Sequence, residues 1–312
     1  MTNRIQRFIA FLLVLCIPIF AIAGCTNNDV ANAANQVTTN ANGTYSIDTK
    51  TTTPEGKLDV YMLDIGQGDA ILLKVGDEYS MIDTGDIEHR ENIVAQLKTM
   101  GVTKLKNIII THPHADHMGG FYAIAKAMPI EHVYDDGIAV DNNMYKTYEK
   151  WIEKNKIQRT TLRSGDVVDF GHGAVFIVYA PWVEPLTDKK GETDLNNNSI
   201  VGKLIFGKFS MLFTGDAELQ EEKKLIKEQN SRLFSRILKV GHHGSRTSSS
   251  EDFLKSIKPE SALISNGMYN KYGHPHDVTL RRLQENNIAI YRTDTMGRIH
   301  TVSYTHLTLP TT

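Results

Sequence analysis

Short apolar runs separated by glycine-rich turns fill the chain from about residue 58 onward. LDVYMLD (58–64), AILLKV (70–75) and EYSMIDTG (78–85) have the length of strands, and the turn IGQGD joins the first two. In RENIVAQLKTM (90–100) the apolar residues recur at helical spacing, and Gly101 follows as a stop signal. The pattern therefore predicts three strands followed by a helix.

The rest of the domain alternates between strands and helices. NIIIT (107–111) is a continuous apolar run, typical of a strand buried on both faces. HMGGFYAIAKAM (117–128) has helical spacing, and 199–216 is typical of a hairpin that turns at GKF. Further on, the pattern predicts helices over 217–229, 250–257 and 277–286, strands over 236–240, 261–265 and 288–292, and a last strand in GRIHT. Early antiparallel pairs followed by this alternation predict a layered α/β fold with mixed sheets.

The first 56 residues differ in character from the rest. A basic start precedes FIAFLLVLCIPIFAIA (8–23), whose 16 residues are short for a membrane span of ~20. IAGC resembles the lipobox of bacterial lipoproteins, which implies a signal peptide over 1–24 and a lipid on Cys25; an uncleaved anchor helix is the alternative. Residues 25–56 are rich in Asn, Thr and Ala, which predicts a flexible tether. The lipid would hold the protein at the extracytoplasmic face of a bacterial cell membrane.

Composition narrows the classes of function. The chain has 312 residues, 41% hydrophobic and 22% charged, as in an ordinary globular protein, and the predicted domain covers 57–301. Both cysteines, Cys16 and Cys25, precede this domain, which excludes a disulfide framework or a cysteine-based metal site within it. The net charge of −2, or −4 once a signal peptide with two arginines is removed, gives no global attraction to nucleic acid.

Histidine and aspartate crowd the end of the NIIIT strand. His112 follows at the carboxyl end of this strand, where open α/β sheets usually bind ligands. Pro113 keeps the backbone extended, so His112 and His114 lie on one side and can hold one ion. Asp116 is suited to cap the next helix, from which Asp116 and His117 would project toward a second ion. Imidazole and carboxylate together suit zinc, manganese or iron; a solvated, histidine-rich loop is the alternative.

Two further strand ends carry candidate ligands. LFTGD (212–216) ends in Asp216, which could bridge two cations or only cap the helix that follows. ILKVGHHGS (237–245) ends in His242 and His243, and the spacing leaves open which of the two binds metal. Three strand ends that each deliver ligands indicate one shared site.

These motifs resemble those of the metallo-β-lactamase-fold hydrolases. THPHADHMGG matches their His-x-His-x-Asp-His signature. LDIGQGDAILLK, MIDTGD, NNNSIVGKL, FTGDAE, LKVGHHGS and YGHPH are similar, in the same order, to the hydrolase domain of ComEC-type DNA-uptake proteins and their stand-alone relatives. The resemblance covers about Leu58 to His300. It implies an αββα sandwich of two mixed sheets flanked by helices, with two divalent metal ions at one edge.

The resemblance also implies roles for individual residues. It assigns His112 and His114 to the first ion, Asp116, His117 and His242 to the second, Asp216 to a bridge, and Asp83 to a position behind the ligands that orients them. The usual third histidine of the first site is missing, and NNNS stands there. Asn196 or Ser199 could donate an oxygen instead, and His243 is a further candidate for metal or substrate. Zinc is the favoured metal, and an oxygen-rich first site makes manganese the alternative.

The implied activity is metal-assisted hydrolysis by a hydroxide that two cations activate. Asp116 would hold the attacking water and act as a partial base. His274 would protonate the leaving group or, with His276, grip a phosphate. Ser245 and the backbone of Gly244 would add hydrogen-bond donors. Each of these last groups could instead only shape a loop.

The resemblance implies a phosphodiesterase or nuclease that acts on DNA outside the cell. Polyanion binding normally uses many basic contacts, yet the mature chain is net acidic, and the mixed charges of 221–236 are typical of a solvated helix face. Small or cell-wall phosphoesters are therefore an alternative substrate. Further alternatives are a surface binding lipoprotein with a vestigial site and a lactamase-like amide hydrolase. No protein partner is predicted.

The segment VSYTHLTLPTT (302–312) has neither helical nor strand spacing. It resembles the translation of a transposase sequencing adapter. We therefore expect these residues to be a sequencing artefact, with the true reading frame continuing past about His300. An authentic tail is the alternative.

Overall fold

The structure, a computed structural model, describes residues 56–303 and three short strands outside that range. These are β1 (Val37–Thr39), β2 (Tyr45–Ile47) and β17 (Leu307–Thr308). All strands are numbered in the order in which they occur along the chain. β1 and β2 form a separate antiparallel pair within the segment expected to be a tether. The expected signal peptide over 1–24, Cys25 and most of 302–312 lie outside the described residues.

The first sheet has antiparallel strands on one side and parallel strands on the other. Its strands are β17 and, in chain order, β3 (Leu58–Met62), β4 (Ala70–Val75), β5 (Glu78–Thr84), β6 (Leu105–Ile109), β7 (Ile130–Asp135), β8 (Gln158–Thr161) and β16 (Ile299–Val302). The strand order is β17-β16-β3-β4-β5-β6-β7-β8. Pairing is antiparallel as far as β5 and parallel from β5 to β8.

The second sheet repeats this division. Its strands are β9 (Val167–Gly171), β10 (Ala174–Ala180), β11 (Val201–Phe206), β12 (Phe209–Phe213), β13 (Ile237–Lys239), β14 (Ser261–Ile264) and β15 (Ala289–Arg292). The order is β15-β14-β13-β12-β11-β10-β9, antiparallel from β9 to β12 and parallel from β12 to β15. Every residue of β10 is buried, as expected for a strand covered on both faces.

Helices cover the outer face of each sheet. In chain order, the α-helices of the described residues are α1 (Arg90–Thr99), α2 (Ala115–Met118), α3 (Phe121–Ala127), α4 (Asn143–Asn155), α5 (Leu219–Gln229), α6 (Glu251–Ile257), α7 (Asp277–Glu285) and α8 (Thr293–Met296). Within the described part of the chain, no helix combines the length and apolar composition needed to cross a lipid bilayer.

Three apolar cores hold the layers together. The central core lies between the sheets and joins Ile82 and Ile109 of the first sheet to Phe176 and Met211 of the second. A second core packs α1, α3 and α4 on the first sheet, and a third packs α5, α6 and α7 on the second. The predicted αββα sandwich of two mixed sheets is therefore confirmed.

Local details differ from the sequence pattern at several points. Helix α5 begins two residues later than predicted and has Glu218 as its N-cap, so Asp216 does not cap it. Asp116 lies within the first turn of α2, whose N-cap is His114. The sequence pattern assigned no element between about 129 and 182, where β7, α4, β8, β9 and β10 lie. β8 reads QRTT and is mostly exposed, so an edge strand of this kind carries no apolar signal.

Candidate metal centre

The carboxyl ends of the central strands from both sheets meet at one edge of the sandwich. β5 and β6 of the first sheet end beside Asp83 and His112, while β12 and β13 of the second sheet lead to Asp216 and His242. Parallel neighbours such as β5–β6 and β12–β13 direct their carboxyl ends to the same side. Chain topology thus brings together motifs more than one hundred residues apart in sequence, as the contact of His117 with His243 shows.

Asp83 anchors the loop that carries the histidine motif. Its carboxylate accepts hydrogen bonds from the Thr111 backbone N–H and the Thr111 hydroxyl, both at 2.7 Å. The same carboxylate lies 2.8 Å from Nδ1 of His117. Asp83 has a φ of 56°, a costly backbone conformation for a non-glycine residue. The side chain thus lies behind the candidate ligands and orients them.

One group of four side chains is arranged as a metal site. Asp116, His117, Asp216 and His243 each offer a ligand atom, and these atoms lie within 4.8 Å of one another. The Nε2 atom of His117 lies 3.2 Å from Asp216 Oδ1 and 3.3 Å from His243 Nε2. His243 Nε2 lies 3.3 Å from Asp116 Oδ2. The sequence interpretation placed His242 in this group, whereas the structure brings His243 there.

His242 faces the other oxygen of Asp216. Its Nε2 atom lies 3.7 Å from Asp216 Oδ2, and His112 Nε2 lies 3.9 Å from the same oxygen. His114 completes this side, because its Nδ1 atom lies 3.0 Å from His112 Nε2. Each carboxylate oxygen of Asp216 therefore faces two imidazoles. His242 and His243 both have positive φ, 48° and 53°, which is unusual for two consecutive non-glycine residues.

Hydrogen bonds to Nδ1 fix which ring nitrogen faces the centre. Nδ1 of His243 donates to the Ser265 carbonyl at 2.9 Å, and Nδ1 of His242 lies 2.9 Å from the Glu218 carboxylate. Because these oxygens only accept, Nδ1 carries the proton, and Nε2 of the neutral ring is left with a lone pair. His117 is oriented in the same way by Asp83. This pairing of a metal-facing nitrogen with an anchored nitrogen is typical of metal-binding histidines.

The donor set fits divalent cations. Asp216 Oδ1 is buried and has no hydrogen-bond partner within the described residues. In the neutral rings, Nε2 of His117 and Nε2 of His243 both present lone pairs 3.3 Å apart. Two facing lone pairs and an unpartnered buried carboxylate oxygen are stabilised by a cation placed among them.

The pKa shifts of the candidate ligands also favour a bound cation. Burial raises the pKa of Asp216, but the positive charge of His117 and then of His243 outweighs burial and holds that pKa well below its ordinary value. Burial lowers the pKa of His243, yet the carboxylates of Asp216 and Asp69 raise it to about 10. Without a cation, the buried carboxylates thus hold protons on their imidazole neighbours. A bound metal would supply this positive charge and displace the protons.

A cavity of about 340 Å³ opens onto these groups. Besides the ligands, it is lined by Gln67, Asn196, Tyr272 and His274. Oδ1 of Asn196 is buried without a hydrogen-bond partner in the described part of the chain, so it can serve as an oxygen ligand or substrate contact. Burial and the neighbouring charge of His242 lower the pKa of His274 to about 4, which leaves its ring neutral near pH 7.

Three other predicted contacts lie outside the cavity lining. The Ser199 hydroxyl accepts from the Asp216 backbone N–H at 3.1 Å and so positions Asp216. Ser245 Oγ pairs with the Thr247 hydroxyl at 2.8 Å. His276 is the N-cap of α7, and its Nδ1 accepts from the Arg246 backbone N–H at 3.1 Å. In the structure these residues hold loops around the centre.

Sequence reasoning missed a buried ion pair beneath the centre. Lys239 Nζ lies 2.5 Å from Asp69 Oδ2, and both side chains are almost fully buried. Asp69 Oδ1 in turn lies 3.4 Å from His243 Nδ1. The available signals are the lysine inside the apolar strand ILKV and the aspartate of IGQGD, a segment whose pattern predicts only a turn. Gly68 is required there, because a Cβ at this position would lie 2.4 Å from the Asp116 carbonyl oxygen.

Comparison with known proteins places this geometry in context. The family model described as the metallo-beta-lactamase superfamily matches residues 63–267. Competence protein ComA of Neisseria gonorrhoeae is 30% identical over 247 residues, which cover 79% of this chain and 32% of that protein. ComE operon protein 3 of Bacillus subtilis is 29% identical over 264 residues, which cover 78% of this chain and 33% of that protein. The chain thus spans about a third of the length of these two relatives.

Solved structures share the fold at low sequence identity. The metallo-beta-lactamase fold protein YhfI of Bacillus subtilis has a TM-score of 0.55 at 12% identity, covering 79% of this chain and 100% of that chain. The diiron beta-hydroxylase CmlA of Streptomyces venezuelae has a TM-score of 0.51 at 13% identity, and the match covers 80% of this chain and 54% of that chain. At such identities the likeness concerns the fold alone.

Proposed function

This chain belongs to the metallo-beta-lactamase superfamily, and on that premise we propose that it is a metal-dependent phosphodiesterase with a two-cation centre. The observation that carries the proposal is Asp216, whose two buried oxygens each face two imidazoles. A carboxylate in this position suits a bridge between two cations. The ComA and ComE operon protein 3 similarities support a phosphodiester of DNA as the substrate.

We assign the ligands by the oxygen of Asp216 that they face. His112, His114 and His242, on the side of Asp216 Oδ2, would hold the first ion together with Asp216. Asp116, His117 and His243, on the side of Oδ1, would hold the second ion together with Asp216. His242 then supplies the third imidazole of the first site, which the NNNS segment lacks. Five imidazoles and two carboxylates favour zinc, with manganese as the alternative if Asn196 adds an oxygen.

The residues of the chain divide the work of hydrolysis. Two bound divalent cations supply Lewis-acid stabilisation of developing phosphoryl charge and activate water near neutral pH. Asp116 is the ligand carboxylate most open to the cavity, and nearby imidazole charge outweighs burial to hold its pKa far below neutral. It is therefore ionised and can hold the attacking water by accepting a hydrogen bond from it. His274 is neutral near pH 7, so we propose that it hydrogen-bonds the substrate rather than acting as an imidazolium acid.

Two substrates test the proposal. We expect metal-dependent turnover of bis-p-nitrophenyl phosphate and of single-stranded DNA, lost in Asp116→Ala and His112→Ala and retained in Lys150→Ala, a change on the exposed face of α4. Absence of metal-dependent turnover of either substrate would refute a phosphodiesterase. Turnover of the small ester alone would refute DNA as the substrate.

Attachment to a membrane through Cys25 is part of the proposal. It is supported by the IAGC sequence after a 16-residue apolar stretch. Mass spectrometry of protein from a bacterial membrane fraction should find diacylglycerol on Cys25, and Cys25→Ser should move the protein to the soluble fraction. An unmodified Cys25 in membrane-bound protein would contradict the lipid anchor.

A further inference from the structure

Helix α5 separates its charges between two faces. Glu221 and Glu222 are buried, at 0% and 1% exposure, whereas Lys223, Lys224 and Lys227 lie on the outer side. In the linear sequence these charges are adjacent and nearly cancel. In the folded helix Glu221 and Glu222 face the protein, whereas the lysines and Glu228 lie on the outer side.

The two buried carboxyl groups of α5 lie inside the protein, away from the lysines. Glu222 accepts hydrogen bonds from the backbone N–H groups of Ser249 and Ser250. Burial, and then the neighbouring carboxylate of Asp194, raise the pKa of Glu221 well above its ordinary value. Within the described residues, no carboxylate forms an ion pair with Lys223 or Lys227.

A groove of about 760 Å³ runs along this basic face. Its lining includes five cationic side chains and two carboxylates, namely Lys223, Lys224, Lys227, Arg246 and Arg282 against Glu218 and Glu228. Trp182 lies at the same face, with Lys224 Nζ 4.0 Å from its ring centroid. The groove therefore has an excess of positive charge that the net charge of the chain conceals.

The groove adjoins the metal centre. Glu218, in its wall, orients His242 through the 2.9 Å contact with Nδ1. Asn197 lines the groove, while its neighbour Asn196 lines the metal cavity. Arg246 follows the GHHGS segment and extends the basic surface from the ligands outward. The groove and the metal cavity are therefore lined by neighbouring residues.

We propose that this groove binds the phosphates of a single-stranded nucleic acid whose scissile bond lies at the metal centre. The proposal rests on the phosphodiesterase function proposed above and extends it to a long substrate. A small diester would fill only the metal cavity and would have no use for the additional 760 Å³. A basic groove beside exposed aromatic rings is the usual arrangement for single strands.

Aromatic residues at the mouth of the cavity favour nucleic acid over a base-free polyphosphate. Tyr272 lines the metal cavity and is 51% exposed, and Tyr269 on the same loop is 96% exposed. Their rings can stack on bases, which a chain of glycerol phosphates does not have.

The experiment compares two charge reversals of equal size and spacing. K223E/K227E changes the groove, and K150E/K154E changes the exposed face of α4 in the other helical layer. Binding of a fluorescein-labelled single-stranded oligodeoxynucleotide is measured by anisotropy over a salt series. We expect the groove variant to bind about tenfold or more weakly and its log Kd–log salt slope to fall by about two, because two phosphate contacts are lost. The control variant should match the wild type.

Turnover separates this proposal from the phosphodiesterase proposal. The ratio of kcat/KM on the oligonucleotide to kcat/KM on bis-p-nitrophenyl phosphate should fall about tenfold in K223E/K227E. Oligonucleotide binding unchanged in that variant, or weakened equally in the control, would overturn the groove whatever the catalytic result. If the wild type turns over neither substrate, the phosphodiesterase fails, while anisotropy still decides whether the groove binds.

Two additional measurements use a charge-neutral variant and a competitor that has phosphates but no bases. K223Q/K227Q removes charge without reversing it, so a weaker effect of the same sign supports phosphate binding even if the glutamate variant misfolds. Unlabelled poly(glycerol phosphate) is the competitor. Competition equal to that of the unlabelled oligonucleotide would overturn the assignment to nucleic acid, and weaker competition would support it.

Discussion

At the scale of single residues, the centre depends on which atom of a side chain points inward. His242 and His243 are neighbours in sequence, yet Glu218 anchors one and the Ser265 carbonyl anchors the other, so they face opposite oxygens of Asp216. Both have left-handed backbone conformations, which a helix or strand would not permit. Strain of this kind is tolerated where surrounding contacts over-determine it, as at functional sites.

Glu218→Gln tests the orientation of His242. The amide keeps the shape of the side chain but removes the charge that holds the Nδ1 proton. We expect the affinity for the first metal ion, which is assigned to His242, to fall about tenfold or more, the usual effect of losing such a partner. Titration against a chromophoric chelator measures it. Glu228→Gln, on the same helix, is the control, and equal affinities in both variants would contradict the role of Glu218.

Lys239→Met tests the buried ion pair. Removing the ammonium leaves Asp69 as an uncompensated buried charge, which should reduce the free energy of unfolding by about 3 kcal/mol or more. Urea unfolding at fixed metal concentration measures this loss. Lys208→Met, in the exposed turn after β11, should have little effect. The double variant D69N/K239M should be more stable than K239M, and the reverse order would contradict the pairing.

At the scale of an element, the packing of α5 against the protein separates the buried Glu221 and Glu222 from the lysines on its outer side. The mixed sequence of 221–236 predicted an ordinary solvated face, and the outward side of the helix is indeed exposed. The packing of Leu225 into the third core sets the rotation of the helix, which turns Glu221 and Glu222 inward. The summed charge of this segment in the linear sequence therefore gives no indication of the basic groove.

Glu221→Gln should alter the pH dependence of stability. The folded state raises the pKa of Glu221 above 4.5, so it binds more protons than the unfolded state, and stability falls as pH rises from there toward the folded pKa. The glutamine variant lacks this loss and should gain melting temperature relative to the wild type as pH increases. Thermal unfolding of metal-saturated protein from about pH 5 to about pH 9 measures it. A difference in melting temperature between Glu221→Gln and the wild type that stays constant across this pH range would contradict the prediction. The same pH trend in Glu184→Gln, a change at an exposed site, would also contradict it.

At the scale of the whole molecule, the candidate metal centre draws its residues from both sheets. His112 and His117 follow strands of the first sheet, whereas Asp216 and His243 follow strands of the second. Ions held by both sets of ligands would stabilise the sandwich as a unit, because such a site exists only in the folded state.

Removal of metal should therefore lower thermal stability as well as activity. A cation present at 100 times its Kd stabilises the folded state by about 2.7 kcal/mol. We expect a lower Tm in EDTA and recovery on adding zinc, measured by differential scanning calorimetry. Asp216→Asn should show a smaller metal-induced shift than the wild type. An unchanged Tm in EDTA, with metal loss verified by elemental analysis, would contradict the bridging site.

Outside residues 129–182, the order of strands and helices follows from the sequence pattern. The αββα class and most of the candidate histidine and aspartate ligands follow from the resemblance of the motifs to a known family. Period-two and helical spacing report burial locally, and ligands placed directly after apolar strands mark a sheet edge. The tertiary structure decided which of His242 and His243 faces which oxygen, the Asp69–Lys239 pair and the inward turn of Glu221 and Glu222. These features depend on backbone rotation and on partners distant along the chain, which no local spacing encodes.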